Sequence, residues 1–184
     1  MATLIPLTKG SYCSYCGAFF TTKAWPRKCD HCNSESYRNP TPVVVVIVPV
    51  WCKPDKPGYR EMKYLIQQRN IEPCRGQYSL SGGFIDHMET FQQAASRELS
   101  EEVGLLCPPE EIELFDVVSA SNGNLLIFCA SRDVDKEQIL FKPNAEVSAI
   151  RFVDHPNDQE LCFPTHNEVF ARWHEKYGWR KIKQ

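Results

Sequence analysis

Three glutamates that lie close together, Glu98, Glu101 and Glu102, have the types and the spacing to bind a metal ion. Separations of three and four residues place their carboxylates on one side of a helix. Like charges at these positions repel by about 0.2–0.5 kcal/mol per pair, and a bound cation relieves that repulsion. Because every ligand is an oxygen, the cluster predicts Mg²⁺ or Mn²⁺ and, with it, phosphate chemistry. The alternative is a solvated acidic helix face.

An apolar stripe predicts the helix that carries these glutamates. Its members recur every four residues: Phe91, Ala95, Leu99 and Val103. Gly104 follows at the position where helices commonly end in a left-handed conformation. Glu98 and Glu102 fall beside the stripe, so we expect them at the edge of the buried face, where an unpaired charge is costly.

The glutamates belong to a longer pattern that resembles the signature of the Nudix hydrolases. Gly83 is followed after five residues by Glu89, and after seven more by the segment Arg97–Leu105, whose Arg-Glu-Leu, Glu-Glu and Gly-Leu positions all match. The match is intact at every defined position. The resemblance therefore implies a metal-dependent enzyme that hydrolyses a diphosphate linkage.

The resemblance also assigns roles to these residues. The ligands of two or three Mg²⁺ or Mn²⁺ ions would be the Gly83 carbonyl and the carboxylates of Glu98, Glu101 and Glu102. A water would attack a phosphorus of the diphosphate, and one of the glutamates of the signature would accept the proton of that water. Glu89 and Arg97 would form an ion pair that fixes the loop against the helix.

Several positions depart from the common family pattern. Ser81 stands where a proline is often found before the glycine pair, Asp86 replaces a glutamate, and Met88 replaces a frequent glycine. These departures remove no metal ligand. They concern the conformation of the loop and its fit to the substrate.

Three residues outside the signature are further candidates. Glu146 opens the segment Glu-Val-Ser-Ala-Ile-Arg-Phe-Val, which resembles a downstream Nudix strand whose glutamate reaches the metals or orients water. Glu146 is therefore a catalytic candidate, the alternative being a surface glutamate at a strand entry. Arg69 and Arg75 flank the chain that leads into the loop and are candidates for binding substrate phosphates, the alternative being solvated arginines.

Four cysteines in paired spacing predict a second metal site. Cys13-x-x-Cys16 and Cys29-x-x-Cys32 are separated by twelve residues, which is typical of a structural four-thiolate Zn²⁺ site. Gly17 and Asn33 follow the two pairs and suit the tight turns that such ligands need. The site implies reduced thiols and hence a cytoplasmic protein. Disulfides and an iron site of rubredoxin type are the alternatives.

Composition excludes several classes of protein. The chain has 184 residues, 42% hydrophobic and 24% charged, with a net charge of −2, as expected of a soluble globular protein. The charge argues against bulk attraction to nucleic acid or to an anionic membrane. The longest apolar run, Val43–Trp51, is too short for a membrane span and predicts one buried strand. We expect no secretory signal.

Length and element order predict the domain organisation. Residues 1–38 form a zinc ribbon and residues 39–184 a Nudix domain. Helices that alternate with strands predict an α/β (α+β) fold, the Nudix α/β/α sandwich with a mixed sheet.

Local signals place several turns and ends. Lys53–Gly58 predicts a hairpin loop, and Asn122-Gly123 predicts a tight hairpin turn. The last helix is expected to open at Thr165, with Glu168 completing a capping box, and to stop at Gly178.

The order of ribbon and Nudix domain looks like that of the NADH pyrophosphatase branch, and of FAD and ADP-ribose pyrophosphatases with a ribbon. The expected products are a nucleoside monophosphate and X-phosphate. The Ser-Gln-Pro-Trp-rich segment of NADH pyrophosphatases is absent, and the comparable region reads Ser119–Asn124. The substrate therefore stays open among FAD, NADH, ADP-ribose, nucleoside-sugar diphosphates and oxidised nucleotides.

Two functions of another class remain as alternatives. One is a non-catalytic nucleotide-sensing protein on the same fold, which predicts a broken signature. The other is a zinc-ribbon nucleic-acid binder, which predicts a strongly basic ribbon, whereas residues 1–38 carry only a mild excess of positive charge. A small-molecule partner and no membrane partner are expected, and the resemblance favours a homodimer.

Overall fold

A computed structural model describes residues 10–53 and 61–178. The hairpin loop predicted from Lys53 to Gly58 lies, after Lys53, outside the described residues. The described residues divide into two compact units, one ending at Pro40 and the other beginning at Thr41. The assignment of a zinc ribbon to 1–38 and a hydrolase domain to 39–184 stays a prediction.

The first unit contains two turns of the same form and a short hairpin. In each turn the residue after the second cysteine is left-handed, with φ of 74° at Gly17 and 64° at Asn33, which confirms the expectation for these positions. Their amides donate to the carbonyls of Cys13 and Cys29 at 2.9 and 2.8 Å. The strands β1 (Arg27–Lys28) and β2 (Glu35–Ser36) pair antiparallel.

The described residues of the second unit form two sheets and two α-helices. Its strands are, in chain order, β3 (Thr41–Ile47), β4 (Pro49–Cys52), β5 (Glu61–Arg69), β6 (Tyr78–Ser79), β7 (Ile112–Ser119), β8 (Asn124–Ser131), β9 (Val134–Asp135) and β10 (Val147–Val153). One sheet has the order β10-β5-β4-β9, with β6 paired to β5, and the other has the order β3-β8-β7. The helices are α1 (Phe91–Val103) and α2 (Pro164–Tyr177).

Alternation along β3 places the two helices on opposite faces. Val44 and Val46 join the core that contains the buried face of α1, whereas Val45 and Ile47 join the core that contains the buried face of α2. Successive side chains of a strand point to opposite faces, so a continuous valine run is what a strand covered on both sides requires. The predicted α/β sandwich with mixed pairing is confirmed: β3 and β8 are parallel, and β7 and β8 are antiparallel.

The prediction of one strand over the apolar run Val43–Trp51 is wrong. The run is divided between β3 and β4, which belong to different sheets, and the division falls at Val48. The nitrogen of Pro49 has no hydrogen to donate, which suits this residue to the first position of the second strand. Burial is continuous across the change of sheet, which is why composition did not reveal it.

Two further expectations have opposite outcomes. The Asn122-Gly123 turn is confirmed, with Gly123 at φ 87° and the Ala120 amide donating to the Asn124 carbonyl at 2.9 Å. The capping box expected at Thr165 is wrong. Helix α2 already begins at Pro164, whose fixed φ suits the first helical position, and its N-cap Phe163 makes no side-chain cap.

Helix α1 follows its expected course, with Gly104 at its end in the left-handed conformation at φ 68°. Thr90 caps its start by accepting a hydrogen bond from the Gln93 amide. No helix in the described ranges is both long and apolar enough to cross a bilayer.

Candidate active site

The loop before α1 lies along β3 through backbone hydrogen bonds. The amide of Val44 donates to the Gly83 carbonyl at 2.9 Å, and the amide of Val46 donates to the Ser81 carbonyl at 2.8 Å. A Cβ added at Gly82 would collide with the Val44 carbonyl oxygen and would lie 2.9 Å from the Cα of Val45. Only glycine allows this approach of loop to strand, which fixes the loop against the valine-rich strand.

Gly83 makes room for one of the predicted metal ligands. A Cβ at this position would lie 2.6 Å from the Cδ of Glu98. The glycine therefore lets the Glu98 carboxylate rest directly against the loop. Both Glu98 and Glu102 are buried, at 7% and 4% exposure, which confirms their position at the edge of the buried helix face. Glu101 is exposed.

Arg97 ties the loop to the helix. Its Nε and one terminal nitrogen each donate to a Glu89 carboxylate oxygen at 3.0 Å, which confirms the ion pair that the resemblance implied. Its other terminal nitrogen donates to Glu98 Oε1 at 2.7 Å. Hydrogen bonds from Arg97 lower the pKa of Glu89, and the Arg97 charge acts in the same direction. Met88 at the loop tip has φ 70°, the left-handed conformation that explains why glycine is frequent there.

Glu102 is held by a buried chain of hydrogen bonds. Gln67 Nε2 donates to Glu102 Oε1 at 2.7 Å, and the Gly82 amide donates to Glu102 Oε2 at 2.8 Å. Ser81 Oγ in turn donates to Gln67 Oε1 at 2.8 Å. The serine at the position of the usual family proline therefore orients the amide that holds Glu102. Sequence reasoning missed Gln67, since a lone glutamine in a strand gives no signal.

The two buried carboxylates are incompletely neutralised by the protein. The pKa of Glu102 is raised to about 8, chiefly by burial, with the charges of Glu98 and Glu146 adding to the shift. Burial also raises the pKa of Glu98, against the opposing effect of Arg97. Desolvated carboxylates of this kind favour a proton or a cation as partner.

The glutamates line a cavity of about 620 Å³ that has both charged and apolar lining residues. Its lining includes all four of the predicted carboxylates, Glu98, Glu101, Glu102 and Glu146. The lining also includes apolar and aromatic side chains, namely Val43, Val45, Leu80, Leu126 and Phe163. A cavity of this size is in the range of small-molecule sites.

The two candidate arginines are placed differently. Arg69 lines the cavity, donates from Nε to the Pro73 carbonyl at 2.7 Å, and lies 5.3 Å from the Phe163 ring centroid. Arg75 is absent from the described lining residues and donates to Asn70 Oδ1 at 3.2 Å. The geometry therefore favours Arg69 of the two for contact with a ligand.

Asn144 connects the backbone at Glu146 to the helix that carries the other three glutamates. Its Nδ2 donates to the carbonyls of Glu101 and Glu102 at 3.2 and 3.0 Å, near the end of α1. Its Oδ1 accepts from the amides of Glu146 and Val147 at 2.9 and 2.8 Å. One amide side chain thus joins the end of the helix to the start of β10, and sequence reasoning missed it.

The four predicted cysteines converge in the first unit. Their sulfurs all lie within 4.8 Å of one another, and the Cys13–Cys32 and Cys16–Cys29 pairs are each 3.7 Å apart. Four sulfurs around a zinc ion at about 2.3 Å are about 3.8 Å apart, so the arrangement fits tetrahedral zinc. All four are free thiols, unlike in the disulfide alternative. In the described part of the chain only this group of His, Cys, Asp or Glu side chains meets that distance. The carboxylates of Glu98 and Glu102 accept hydrogen bonds from protein donors instead.

We expect Gln67→Met to lower kcat/KM by about ten- to a hundredfold, because Glu102 loses the donor that orients it. The measurement is steady-state hydrolysis of the best substrate with saturating Mg²⁺. Gln68→Met is the matched control, since Gln68 is next in β5 but donates to the Gly76 carbonyl, away from the glutamates. Equal losses in both variants would contradict the role of Gln67.

The chain is similar in sequence to known proteins. The sequence model of the NUDIX domain matches residues 42–174. The NAD-capped RNA hydrolase NudC of Photorhabdus laumondii is 24% identical over 163 residues, which is 88% of this chain and 57% of the relative. NudC of Edwardsiella ictaluri is 29% identical over 93 residues, 50% of this chain and 32% of the relative. The matches span about a third and just over half of these curated relatives.

Solved structures share the fold. A NUDIX hydrolase from Nitrosomonas europaea superposes with a TM-score of 0.64 at 24% identity, covering 94% of this chain and 95% of that chain. The NUDIX domain of Shewanella oneidensis NrtR, solved in complex with ADP ribose, gives a TM-score of 0.61 at 20% identity, covering 76% and 90%.

Proposed function

The chain belongs to the Nudix family, and on this premise we propose that it hydrolyses the diphosphate bridge of a nucleoside diphosphate derivative. The observation that supports the proposal is that Glu98, Glu101, Glu102 and Glu146 all line one cavity. Candidate substrates are FAD, NADH, ADP-ribose and similar compounds. Cleavage gives a nucleoside monophosphate and X-phosphate.

The cluster fits a hard divalent cation. All its donors are oxygens, and burial raises the pKa of both Glu98 and Glu102, so positive charge is favoured beside them. Mg²⁺ or Mn²⁺ would be held by these two carboxylates with Glu101 and the Gly83 carbonyl. That carbonyl accepts from Val44, and a carbonyl oxygen has a second lone pair to offer. When bound, such a cation offsets phosphate charge and lowers the pKa of a coordinated water.

The other residues of the cavity bind the diphosphate and accept the proton of the attacking water. Arg69 lies in the same cavity, and within the described residues hydrogen bonding occupies only its Nε, so its terminal N–H groups can donate to phosphate oxygens. One of the glutamates of the cluster accepts the proton of the attacking water. Glu146, whose backbone amide donates to Asn144, would orient that water.

The first unit supports a second metal of a different kind. We assign Zn²⁺ to Cys13, Cys16, Cys29 and Cys32, with a structural role, because four protein ligands leave no open position for water. A homodimer, a cytoplasmic location and the absence of nucleic-acid and membrane partners stay predictions. An RNA substrate enters the tests because the curated relatives are named NAD-capped RNA hydrolases.

The test is a panel of diphosphate-bridged substrates, incubated with Mg²⁺ or Mn²⁺, with both products identified by mass spectrometry. The panel contains FAD, NADH, ADP-ribose, a nucleoside-sugar diphosphate and a short NAD-capped RNA. Hydrolysis in ¹⁸O-labelled water is expected to place the label on one of the two product phosphates. If no member of the panel is cleaved by the wild-type chain, the proposal is wrong.

A further inference from the structure

Two cysteines of the second unit are neighbours in space although they are far apart in the sequence. Cys74 and Cys162 are free thiols, both of them partly exposed, and the Cys162 thiol has the Cys74 thiol as a hydrogen-bonding neighbour. The other three thiols of this unit, Cys52, Cys107 and Cys129, are buried. Outside the four-cysteine group, Cys74 and Cys162 are therefore the thiols that a small molecule can reach.

Backbone hydrogen bonds hold the two cysteines side by side. The amide of Cys162 donates to the Tyr78 carbonyl at 2.8 Å, and the amide of Gln77 donates to the Cys74 carbonyl at 3.0 Å. Because Gln77 and Tyr78 are consecutive, the turn that contains Cys74 lies beside the segment that contains Cys162. Cys74 has a φ of 68°, a left-handed conformation that is uncommon for a residue with a side chain and that persists only where the surroundings fix it.

The residues next to the two cysteines line the cavity of the glutamates. Pro73 precedes Cys74, Phe163 follows Cys162, and both line that cavity together with Arg69. Arg69 contacts both neighbours, because its Nε donates to the Pro73 carbonyl at 2.7 Å and its guanidinium carbon lies 5.3 Å from the Phe163 ring centroid. A change in the distance between the two thiols therefore acts on two lining residues and on the arginine that contacts them.

The thiol pair is accessible from a second cavity. This cavity has a volume of about 850 Å³, and its lining includes Gln77, Tyr78, Cys162 and Asn167 but none of the predicted carboxylates. A volume of this size is in the range of small-molecule sites. A small-molecule disulfide can therefore approach Cys162 and its neighbour without entering the cavity of the glutamates.

We propose that Cys74 and Cys162 form a reversible disulfide by exchange with a small-molecule disulfide, and that this bond weakens substrate binding by shifting the wall of the glutamate cavity. The site is a modification site that takes an oxidant of the disulfide class. The effect on substrate binding rests on the proposed function, whereas formation of the bond does not.

The exchange takes place in two steps that conserve atoms and electrons. The Cys74 thiolate attacks one sulfur of the small-molecule disulfide, which forms a mixed disulfide and releases one thiolate. The Cys162 sulfur then attacks the Cys74 sulfur, and the second half of the small molecule leaves as a thiol with the proton of Cys162. The two protein thiols are oxidised to a disulfide, and the small-molecule disulfide is reduced to two thiols.

The surroundings of Cys162 suit the second of these steps. Burial raises the pKa of Cys162 to about 12, and the Cys74 thiol acts in the same direction, so Cys162 keeps its proton while Cys74 reacts. The charge of Arg69 opposes this shift and favours the Cys162 thiolate when that sulfur attacks.

The disulfide changes the cavity wall because it holds two sulfurs closer together than two thiols in contact. Pro73 and Phe163 are drawn toward each other, and the Arg69 guanidinium loses its present contacts with them. The glutamates of α1 are held by other residues. The consequence is a higher KM with little change in kcat.

The first test maps disulfides in the full zinc-loaded chain after incubation with oxidised glutathione. Trypsin cuts after Arg69, Arg75, Arg151 and Arg172, which places the two cysteines in peptides 70–75 and 152–172, and neither peptide contains another cysteine. Mass spectrometry should find these peptides linked in the wild type and separate after dithiothreitol. Unlinked peptides in the wild type overturn the inference, whether or not other cysteines have been oxidised.

Three variants test the order of the two steps. Cys162→Ser should retain glutathione on Cys74, because the sulfur that displaces it is missing. Cys74→Ser should form no link. Cys52→Ala is the matched control, because it removes a buried thiol of the same unit, and it should form the link between Cys74 and Cys162 as the wild type does. The mapping of the wild type needs none of these variants to fold.

The second test compares hydrolysis by the linked and the reduced wild type, with the best substrate of the panel and saturating Mg²⁺. We expect KM to rise about threefold or more and kcat to stay within about twofold, with full recovery after dithiothreitol. The KM of Cys74→Ser should not respond to oxidised glutathione. An unchanged KM in fully linked protein overturns the effect on the cavity. Failure of the proposed function is seen separately, as intact substrates with the reduced protein, and leaves the disulfide map readable.

Discussion

Glu102→Gln is expected to slow hydrolysis of the best substrate by about a hundredfold or more at saturating Mg²⁺. The substitution preserves size but removes a charge from the most buried member of the cluster, which is 4% exposed. Glu113→Gln, on the exposed face of β7, is the matched control and should keep wild-type turnover. Near wild-type hydrolysis by Glu102→Gln would remove Glu102 from the catalytic cluster.

The same variant should be more stable than the wild type when divalent metal is absent. The folded protein keeps a proton on Glu102 up to about pH 8, whereas an unfolded glutamate releases it near 4.5. The folded state therefore binds more protons between these values, and the free energy of unfolding of the wild type falls as pH rises through this window.

Glutamine does not ionise, so its presence removes that loss. At about pH 8.5 in EDTA we expect a gain of about 1 to 3 kcal/mol over the wild type, decreasing to nothing below about pH 4.5. The hydrogen bonds around residue 102 can be kept if the Gln67 side-chain amide rotates by half a turn. The Gln67 oxygen then accepts from the amide nitrogen introduced at position 102, and the Gln67 nitrogen donates to the Ser81 hydroxyl. Urea unfolding across this pH range measures the difference. A variant less stable than the wild type at high pH would show that Glu102 is not held in its neutral form.

Brief EDTA treatment is expected to abolish hydrolysis while leaving the zinc of the first unit in place. Four thiolates leave no open coordination position on the proposed zinc, whereas the carboxylate site is expected to be open and to bind its ions weakly without substrate. Added Mg²⁺ or Mn²⁺ alone should restore the rate. The measurement follows zinc content by elemental analysis and hydrolysis rate together, through chelation and add-back.

Cys29→Ser supplies the reciprocal control. It should lose the zinc, which is expected at about one ion per chain in the wild type. Its thermal stability should fall more than its rate of Mg²⁺-dependent hydrolysis. Cys129→Ser, a substitution of a buried thiol outside the group, should retain the zinc. Activity that follows zinc content and ignores Mg²⁺ would show that the catalytic metal has been misassigned.

The sequence by itself determined the features that depend on local spacing. The stripe ending at Val103, followed by Gly104, set the course of α1, and the same periodicity placed Glu98 and Glu102 at its buried edge. The cysteine pairs and the residues that follow them fixed both turns of the first unit, because each turn is closed by hydrogen bonds four residues apart. The Asn122-Gly123 turn is local in the same sense.

Local signals misled where neighbours elsewhere in the chain decide the outcome. The apolar run Val43–Trp51 reads as one strand, yet its halves pair with different partners, β8 for the first and β5 for the second. At the start of α2, Asn167 binds the Leu161 backbone through both atoms of its amide, and no side chain caps the helix. Pattern alone could not weigh these competing contacts.

Only the tertiary structure decided what surrounds the carboxylates. Gln67 lies 35 residues from Glu102, and Asn144 lies 42 residues from it, yet both bond to it directly. His166 and Phe163 reach the cavity because α2 packs against β3 and β8, far from them in sequence. Single polar residues acquire such roles through long-range packing, and no periodicity or spacing around them records it. The motif therefore predicts the chemistry, and the fold decides which side chains hold the glutamates and line the cavity.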